Sequence, residues 1–144
     1  MRPRSRARAW TLQILYAWES RAGARRLTDV LSDFISERRI AQASQSYLFR
    51  LVPTIEARLP EIDAALEAAL TNWRLDRLSM IDRNVLRIGA AELLAMPDVP
   101  PLTSIQEAIQ LAERYGTSES PRFVNGVLDA VMKQAEAAQT GARL

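Results

Sequence analysis

The chain has 144 residues, of which 48% are hydrophobic, so it can bury a sizeable core without disulfides or metal. It contains neither cysteine nor histidine, which excludes thiolate nucleophiles, imidazole general bases and Cys/His zinc sites. No apolar signal segment opens the chain and no stretch is apolar enough to span a bilayer. We therefore expect a single cytoplasmic domain over 1–144, without membrane contact.

Charge is unevenly distributed along the chain, although the net charge is only +2. Residues 1–50 contain ten arginines against four acidic side chains, whereas residues 51–144 contain nine basic and thirteen acidic side chains. The basic excess in the first part indicates an anionic partner. All basic residues except Lys133 are arginines, which suit bidentate phosphate binding, but a GC-rich genome would produce the same bias.

The first predicted helix begins in a segment with arginines at positions 2, 4, 6 and 8. Apolar residues follow at helical spacing as far as Trp18, so the pattern predicts an amphipathic helix with a basic start. Arg4 and Arg8 would share a face and present a row of guanidinium groups. Their charge opposes the helix macrodipole, and a bound phosphate would relieve that cost. A solvated terminus without a partner is the alternative interpretation.

Three further helices are predicted in the next part of the chain. Apolar spacing over residues 27–35 marks the second helix, and the third covers about 44–59 with a kink expected at Pro53. Pro60 suits the first position of a fourth helix, which would end near Trp73. The connections are short, as in a helical bundle.

The most apolar stretch, residues 79–96, is predicted to be a helix buried on nearly every side. Its first residue is a serine and Asp82 follows three positions later, which is a capping pattern, while Pro97 provides the stop. Arg87 and Glu92 interrupt the apolar run. We interpret both as structural residues.

Two helices are predicted after the proline-rich link that follows the central helix. Ser104 and Glu107 form a capping box for the first, which would end at Gly116. The second would open at a Ser-Pro pair and carry Gly126 in its middle, where a glycine suggests close approach by another helix. The last ten residues are expected to fray. Seven helices and no lasting strand pattern make the fold class all-α.

The residues offer no catalytic constellation, because there is no glycine-rich phosphate loop and the carboxylates are scattered over predicted helix surfaces. We expect no enzymatic activity, no cofactor and no metal site. Phe123 follows Arg122 at the start of the last helix and could stack on a base. A core phenylalanine is the other interpretation, and the residues alone favour it. Composition indicates a helical binding protein.

Four motifs spread over almost the whole chain carry a family resemblance. They are the arginine-rich RSRARAWTLQILYAWE, the central LDRLSMIDRNVLRIGAAELL, and the C-terminal pair SIQEAIQLAERYG and SPRFVNGVLDAV. Together they resemble the bacterial transcription antitermination factor family NusB, and FVNGVLD is their most specific part. The chain departs from the family's usual residues at Thr54, Ser104, Gln106 and Glu119, which affects local details.

The resemblance implies an all-helical fold of two three-helix halves and a protein without catalysis that binds single-stranded boxA RNA of ribosomal RNA leader transcripts. It implies a heterodimer with the tenth small-subunit ribosomal protein, called NusE in this role, which joins other Nus factors and RNA polymerase. By motif position, the residues that would contact RNA are Arg4, Arg6, Arg8, Arg122 and Phe123. Those that would face the ribosomal protein are Tyr16, Asp76 and Asp82. The acidic part of the chain suits a basic partner.

Two alternatives remain open. The RNA-binding domain of ribosomal RNA cytosine methyltransferases is similar in fold and motifs, but no strand and helix alternation or glycine-rich cofactor loop follows here, so chain length disfavours it. The other alternative is a helical scaffold that self-associates, since some members of the family are thought to form homodimers that hide the RNA surface. Sedimentation with and without the ribosomal protein would separate these alternatives.

Overall fold

The computed structural model describes residues 1–22 and 24–142, which contain six α-helices, one short 3₁₀ helix and no strand. The helices are α1 (Pro3–Ser20), α2 (Leu27–Glu37), α3 (Gln42–Ala69), α4 (Met80–Ala95), α5 (Pro101–Tyr115) and α6 (Ser120–Ala142), and the 3₁₀ helix η1 is Leu75–Arg77. The all-α prediction is confirmed. Among the described residues, no helix combines the length and apolar character needed to cross a bilayer.

Helix α3 covers the two helices that the sequence predicts as its third and fourth. Arg58 within it has non-helical dihedral angles, φ −120° and ψ 18°. Pro60 follows two residues later, lacks an N–H and crowds the preceding turn, which accounts for a break at this point. The kink expected at Pro53 is not where the helix breaks, since the non-helical dihedral angles are at Arg58. Counted across this break, the described residues contain seven α-helical segments.

The chain forms two compact units, Met1–Leu59 and Pro60–Leu144, whose boundary lies next to the break at Arg58. Unit 1 contains three helical segments, namely α1, α2 and the first part of α3. Unit 2 contains the second part of α3, η1 and helices α4 to α6. Unit 1 thus has the three helices that the resemblance implies for each half. Unit 2 has four α-helical segments, one more than the resemblance implies. The single domain over 1–144 stays a prediction.

Unit 1 has buried apolar residues on all three of its helical segments. They include Leu12, Ile14, Leu15, Leu27, Val30, Leu31, Leu48, Leu51 and Ile55. Trp10 of α1 also packs edge-on against Phe34 of α2, with ring centroids 6.3 Å apart. Trp18 Nε1 donates a hydrogen bond to the Arg25 carbonyl oxygen at 2.8 Å, which holds the end of α1 to the residues that precede α2.

Helix α4 is the buried element of unit 2, as its sequence predicts. Nine consecutive residues, Asn84 to Glu92, are buried. The predicted cap is confirmed, because Ser79 Oγ accepts a hydrogen bond from the Asp82 backbone N–H at 3.1 Å. α4 is therefore less than fully buried only near its two ends.

The guanidinium of Arg87 is tolerated inside unit 2 because its charge is paired. Nε and Nη2 donate to the two carboxylate oxygens of Asp63 at 2.9 and 3.0 Å, and Nη1 donates to Asn84 Oδ1 at 3.1 Å. A bidentate pair of this kind is strong and geometrically specific. It confirms the structural interpretation of Arg87 and ties the second part of α3 to α4.

The capping box predicted at Ser104 is wrong. Helix α5 begins at Pro101, which suits the first helical position because its φ is fixed and its missing N–H would have no partner there. Ser104 lies further inside the helix and is buried. The predicted end at Gly116 is confirmed, and a Cβ there would lie 2.6 Å from Ser120 Cβ and 2.8 Å from the Ala112 carbonyl oxygen.

The glycine against which another helix packs closely is Gly89, and the prediction for Gly126 is wrong. A Cβ at Gly89 of α4 would lie 2.5 Å from Leu128 Cδ1 of α6. A Cβ at Gly126 would have no neighbour within 4 Å, because that position is exposed. The fraying expected of the last ten residues stays a prediction: α6 continues to Ala142, and the last two residues lie outside the described part.

Replacing each glycine with alanine should separate the two roles. Gly126→Ala should stabilise the protein by about 0.5 to 1 kcal/mol, because alanine is the better helix former and has room. Gly89→Ala should be less stable than Gly126→Ala by about 1 to 3 kcal/mol, because the new methyl group must displace the buried Leu128 side chain. Urea unfolding measures both changes. Equal stability of the two variants would contradict the close packing at Gly89.

Candidate nucleic-acid interface

The predicted RNA-binding arginines of unit 1 lie in the first turns of α1. This helix begins at Pro3, and its first turn contains no acidic residue. The N-cap residue, Arg2, makes no side-chain hydrogen bond to the helix end. The start of α1 therefore combines helix N–H groups that lack a side-chain cap with several guanidinium groups, an arrangement that suits a phosphate.

Three arginines surround the ring of Tyr47, and we call these four residues the Tyr47 cluster. The guanidinium carbons of Arg4, Arg8 and Arg50 lie 4.7, 5.2 and 5.5 Å from the ring centroid. Each contact is a cation–π interaction. Arg4 and Arg8 do share a face of α1, as the four-residue spacing predicts. Arg50 joins them from α3.

Tyr47 and Arg50 were not predicted from the sequence as parts of this site. The spacing of these two residues could have indicated part of the cluster, because Arg50 follows Tyr47 by three residues and so lies on the same face of α3. The approach of α1 to that face depends on tertiary packing, which helical spacing within one element does not reveal.

The arginines of α1 differ in their exposure to solvent. Arg4 and Arg6 are exposed, as is Arg50, whereas Arg8 is only 2% exposed. The buried Arg8 lies against the Tyr47 ring, which is itself 3% exposed. The exposed arginines that a phosphate could reach are therefore Arg4, Arg6 and Arg50, whereas Arg8 is buried against the ring.

The predicted RNA-binding residues of unit 2, Arg122 and Phe123, lie in the first turn of α6. Arg122 is exposed. Phe123 is half-buried, so its ring is neither fully enclosed in the core nor fully exposed to solvent. Both residues line a cavity of about 800 Å³, which we call the large groove. Its lining also includes Leu70, Thr71, Asn72, Trp73, Ser118, Glu119, Gly126 and Val127.

A second cavity of unit 2, of about 210 Å³, lies beside the start of α4, and we call it the small cavity. Phe123, Trp73 and Glu119 line it as well as the large groove. Asp82 and Arg77 line the small cavity alone. The structure thus places Asp82, a predicted partner-binding residue, at the same cavity as Phe123, a predicted RNA-binding residue.

The three predicted partner-binding residues have different surroundings. Tyr16 of unit 1 is 48% exposed. Asp76 of η1 is exposed and pairs with Arg74 at 2.9 Å. Asp82 is half-buried, and its Oδ1 atom is buried without a hydrogen-bond partner among the described residues. Buried acceptors are usually hydrogen-bonded, so the Asp82 carboxylate stands out among the three residues.

Comparison with known proteins assigns the chain to a family. The profile of the NusB family matches residues 5–133. The chain belongs to the NusB family. The matched range contains every candidate site residue except Arg4, which lies one position before it.

Relatives and solved NusB structures agree with this assignment. The chain is 42% identical to the transcription antitermination protein NusB of Sorangium cellulosum, over 91% of this chain and 92% of that protein. It is 36% identical to the NusB protein of Chloroherpeton thalassium over 92% of this chain, but spans only 63% of that protein's length. A crystal structure of the antitermination factors NusB and NusE in complex with dsRNA contains a similar chain, with TM-score 0.82, 31% identity and coverage of 93% and 98%.

The different burial of Arg8 and Arg6 predicts different effects on stability. Arg8→Ala should destabilise the protein by about 1 to 2 kcal/mol, because it removes a desolvated cation–π contact and the packing of the arginine stem. Arg6→Ala should change stability by less than about 0.5 kcal/mol, as for other exposed positions. Thermal unfolding of both variants tests this. If they melted at the same temperature, Arg8 would have no part in holding α1 against Tyr47.

Proposed function

We propose that this chain is a transcription antitermination factor that binds single-stranded boxA RNA together with the tenth small-subunit ribosomal protein, NusE. It acts in the cytoplasm, without catalysis, in a complex with other Nus factors and RNA polymerase. Family membership supports this proposal, as does the similar structure in which NusB and NusE are bound to dsRNA. The observation that carries it is a set of exposed arginines, which we call the arginine surface: Arg4 and Arg6 in the first turns of α1, and Arg50 of α3, which shares the Tyr47 ring with Arg4.

The arginine surface of unit 1 binds the RNA backbone in this proposal. Arg4 and Arg6 contact phosphates directly, and the helix N–H groups at the start of α1 favour the same charge. The contact with Tyr47 restricts the Arg4 side chain before RNA arrives, so less conformational entropy is lost on binding. Arg8 contributes from below, by holding the ring and the start of α1 in place.

The start of α6 supplies a second RNA contact in the proposal. The exposed Arg122 reaches a phosphate, while the accessible part of the Phe123 ring stacks on a base. The half-buried state of Phe123 supports this role, because a fully enclosed ring would have no face or edge to offer. The large groove beside both residues leaves space for a nucleotide.

Tyr16, Asp76 and Asp82 bind NusE in the proposal. Ribosomal proteins are generally basic, and complementary charge accelerates encounter and fixes register. Asp82 is the strongest of the three candidates, because its half-buried carboxylate lines the small cavity and has one oxygen without a hydrogen-bond donor among the described residues. A lysine, arginine or amide group of the partner would supply that donor.

The arginine surface predicts a change in the salt dependence of RNA binding. The double variant Arg4→Ala/Arg6→Ala, mixed with NusE, should bind boxA RNA more weakly, and the slope of log K against log salt should fall by about 0.7 for each lost phosphate contact. Arg21→Ala/Arg39→Ala is the matched control, because it removes two exposed arginines of the same unit that lie outside α1. Filter binding at several salt concentrations measures the slopes. An unchanged slope in the first variant would leave the arginines as a solvated terminus.

The Asp82 carboxylate predicts a specific loss of partner binding. Asp82→Lys should weaken NusE binding by about 2 to 5 kcal/mol, because the lysine ammonium would then face the partner's donor group in place of the carboxylate that pairs with it. Helicity should be retained, with a stability cost of about 0.3 to 1 kcal/mol from reversed charge at the start of α4. Calorimetric titration with NusE measures the affinity.

Glu113→Lys is the control for this experiment, since it makes the same charge change at an exposed position of α5. Sedimentation of each variant alone separates weaker NusE binding from self-association of the chain. Equal NusE affinity of Asp82→Lys and Glu113→Lys would remove Asp82 from the proposed interface.

A further inference from the structure

Trp73 is an exposed aromatic residue that neither the family resemblance nor the proposed function uses. Its side chain is 59% exposed, whereas Trp10 and Trp18 are half-buried. It lies between the end of α3 and the start of η1, outside any helix. A large ring held at the surface beside a groove is typical of a binding site rather than of a core.

The chain segment that follows Trp73 is held in place by polar contacts. Arg83 Nη1 donates to the carbonyl oxygens of Leu75 and Leu78 at 3.2 and 2.8 Å. The Leu75 N–H donates to Glu67 Oε1 at 3.1 Å. These bonds fix η1 two residues after Trp73, so the ring is carried by an ordered segment and binding costs less entropy.

The two cavities of unit 2 meet at Trp73 and Phe123. Both rings line the large groove and the small cavity, so they stand at the border between the two. On the large-groove side the cation is Arg122, polar groups come from Thr71, Asn72 and Ser118, and the one carboxylate is that of Glu119, which also lines the small cavity. Gly126 lies in the same lining, and a Cβ placed on it would have no neighbour within 4 Å, so that part of the groove is open.

This lining matches an unpaired nucleotide better than an apolar helix. Two aromatic rings provide stacking surfaces, Arg122 provides a charge for a phosphate, and the side chain of Asn72 can donate and accept hydrogen bonds to a base edge. A partner helix would require a continuous apolar wall, which the polar residues interrupt. The volume of about 800 Å³ accommodates a nucleotide with room to spare.

We propose that Trp73 is a further RNA-contacting residue, which stacks on an unpaired base in the large groove while Phe123 holds a neighbouring base. This inference rests on the proposed function, because it requires that the chain binds RNA. It assigns to unit 2 a site for two bases rather than one, and it makes the loop between α3 and η1 part of the RNA interface. Successive bases stacked on successive rings are a common arrangement in single-strand binding.

The test compares four variants with the unmodified chain for binding to boxA single-stranded RNA in the presence of NusE. Trp73→Ala should weaken RNA binding by about 5- to 150-fold, the range expected for one lost stack, and should leave the salt slope unchanged. Trp73→Tyr should retain most of the affinity, because an aromatic face remains. Trp73→Leu should bind as weakly as Trp73→Ala, although it keeps apolar bulk. Tyr115→Ala, which removes an exposed ring of unit 2 outside both cavities, should bind like the unmodified chain.

Two further measurements make the result specific to stacking. RNA should quench tryptophan fluorescence in the unmodified chain, and much of this quenching should disappear in Trp73→Tyr. Thermal unfolding should show the same midpoint for all Trp73 variants, because the ring is exposed. Trp73→Leu with full RNA affinity would overturn the inference, as would a Trp73→Ala variant that loses NusE affinity rather than RNA affinity.

The outcome also separates this inference from the proposed function. If the unmodified chain with NusE binds boxA RNA and Trp73→Ala binds it equally well, the inference fails and the proposed function stands. If the unmodified chain with NusE fails to bind boxA RNA, the proposed function itself fails. A double variant, Trp73→Ala/Phe123→Ala, completes the design. If its loss of RNA affinity equals the product of the two single-variant losses, the rings stack on two separate bases. If its loss is no larger than that of Phe123→Ala alone, both rings contact one base and the second site is overturned.

Discussion

The bidentate pair between Arg87 and Asp63 is the constraint on which the geometry of unit 2 depends. Helix α4 is buried along nine consecutive residues, so a guanidinium there requires a compensating charge. Asp63 accepts two hydrogen bonds from it, at 2.9 and 3.0 Å, and Asn84 accepts a third. Because a fork of this kind fits in few orientations, it fixes the rotation of α4 about its own axis relative to the second part of α3.

The rotation of α4 in turn positions the candidate site. It directs Gly89 towards α6, where the missing Cβ lets Leu128 pack directly against the α4 backbone. The packing of α6 fixes its first turn, which carries Phe123, and the first turn of α4 brings Asp82 to the same small cavity. Phe123, proposed to contact RNA, and Asp82, proposed to contact NusE, are therefore neighbours in one packed unit. Substitutions at the two positions should not be treated as independent, because sites that share a cavity commonly couple.

Helix positions could be predicted from the sequence more fully than contacts between helices. Apolar spacing and capping patterns are local, which is why the limits of α4 and the start of α6 were predicted to within a residue. The role of a glycine depends on what lies opposite it, so the close approach was predicted at Gly126 and is found at Gly89. The Tyr47 cluster was missed for the same reason, since two of its arginines come from another helix. The exposure of Trp73 likewise follows from tertiary packing, as its sequence position suggested only a helix end.

The Tyr47 cluster shows how the chain keeps several like charges close together before RNA is bound. Neighbouring guanidinium groups repel one another, and the α1 dipole adds to that cost. The ring of Tyr47 offers each a negative π face, while the planar guanidinium can stack there and still direct N–H groups outwards. A lysine ammonium is more strongly hydrated and lacks that planar surface, so it would gain less from the ring. Arginine at positions 4 and 50 therefore has a structural reason in addition to any bias of the genome, because an exposed planar guanidinium can lie against the ring and still donate to a phosphate.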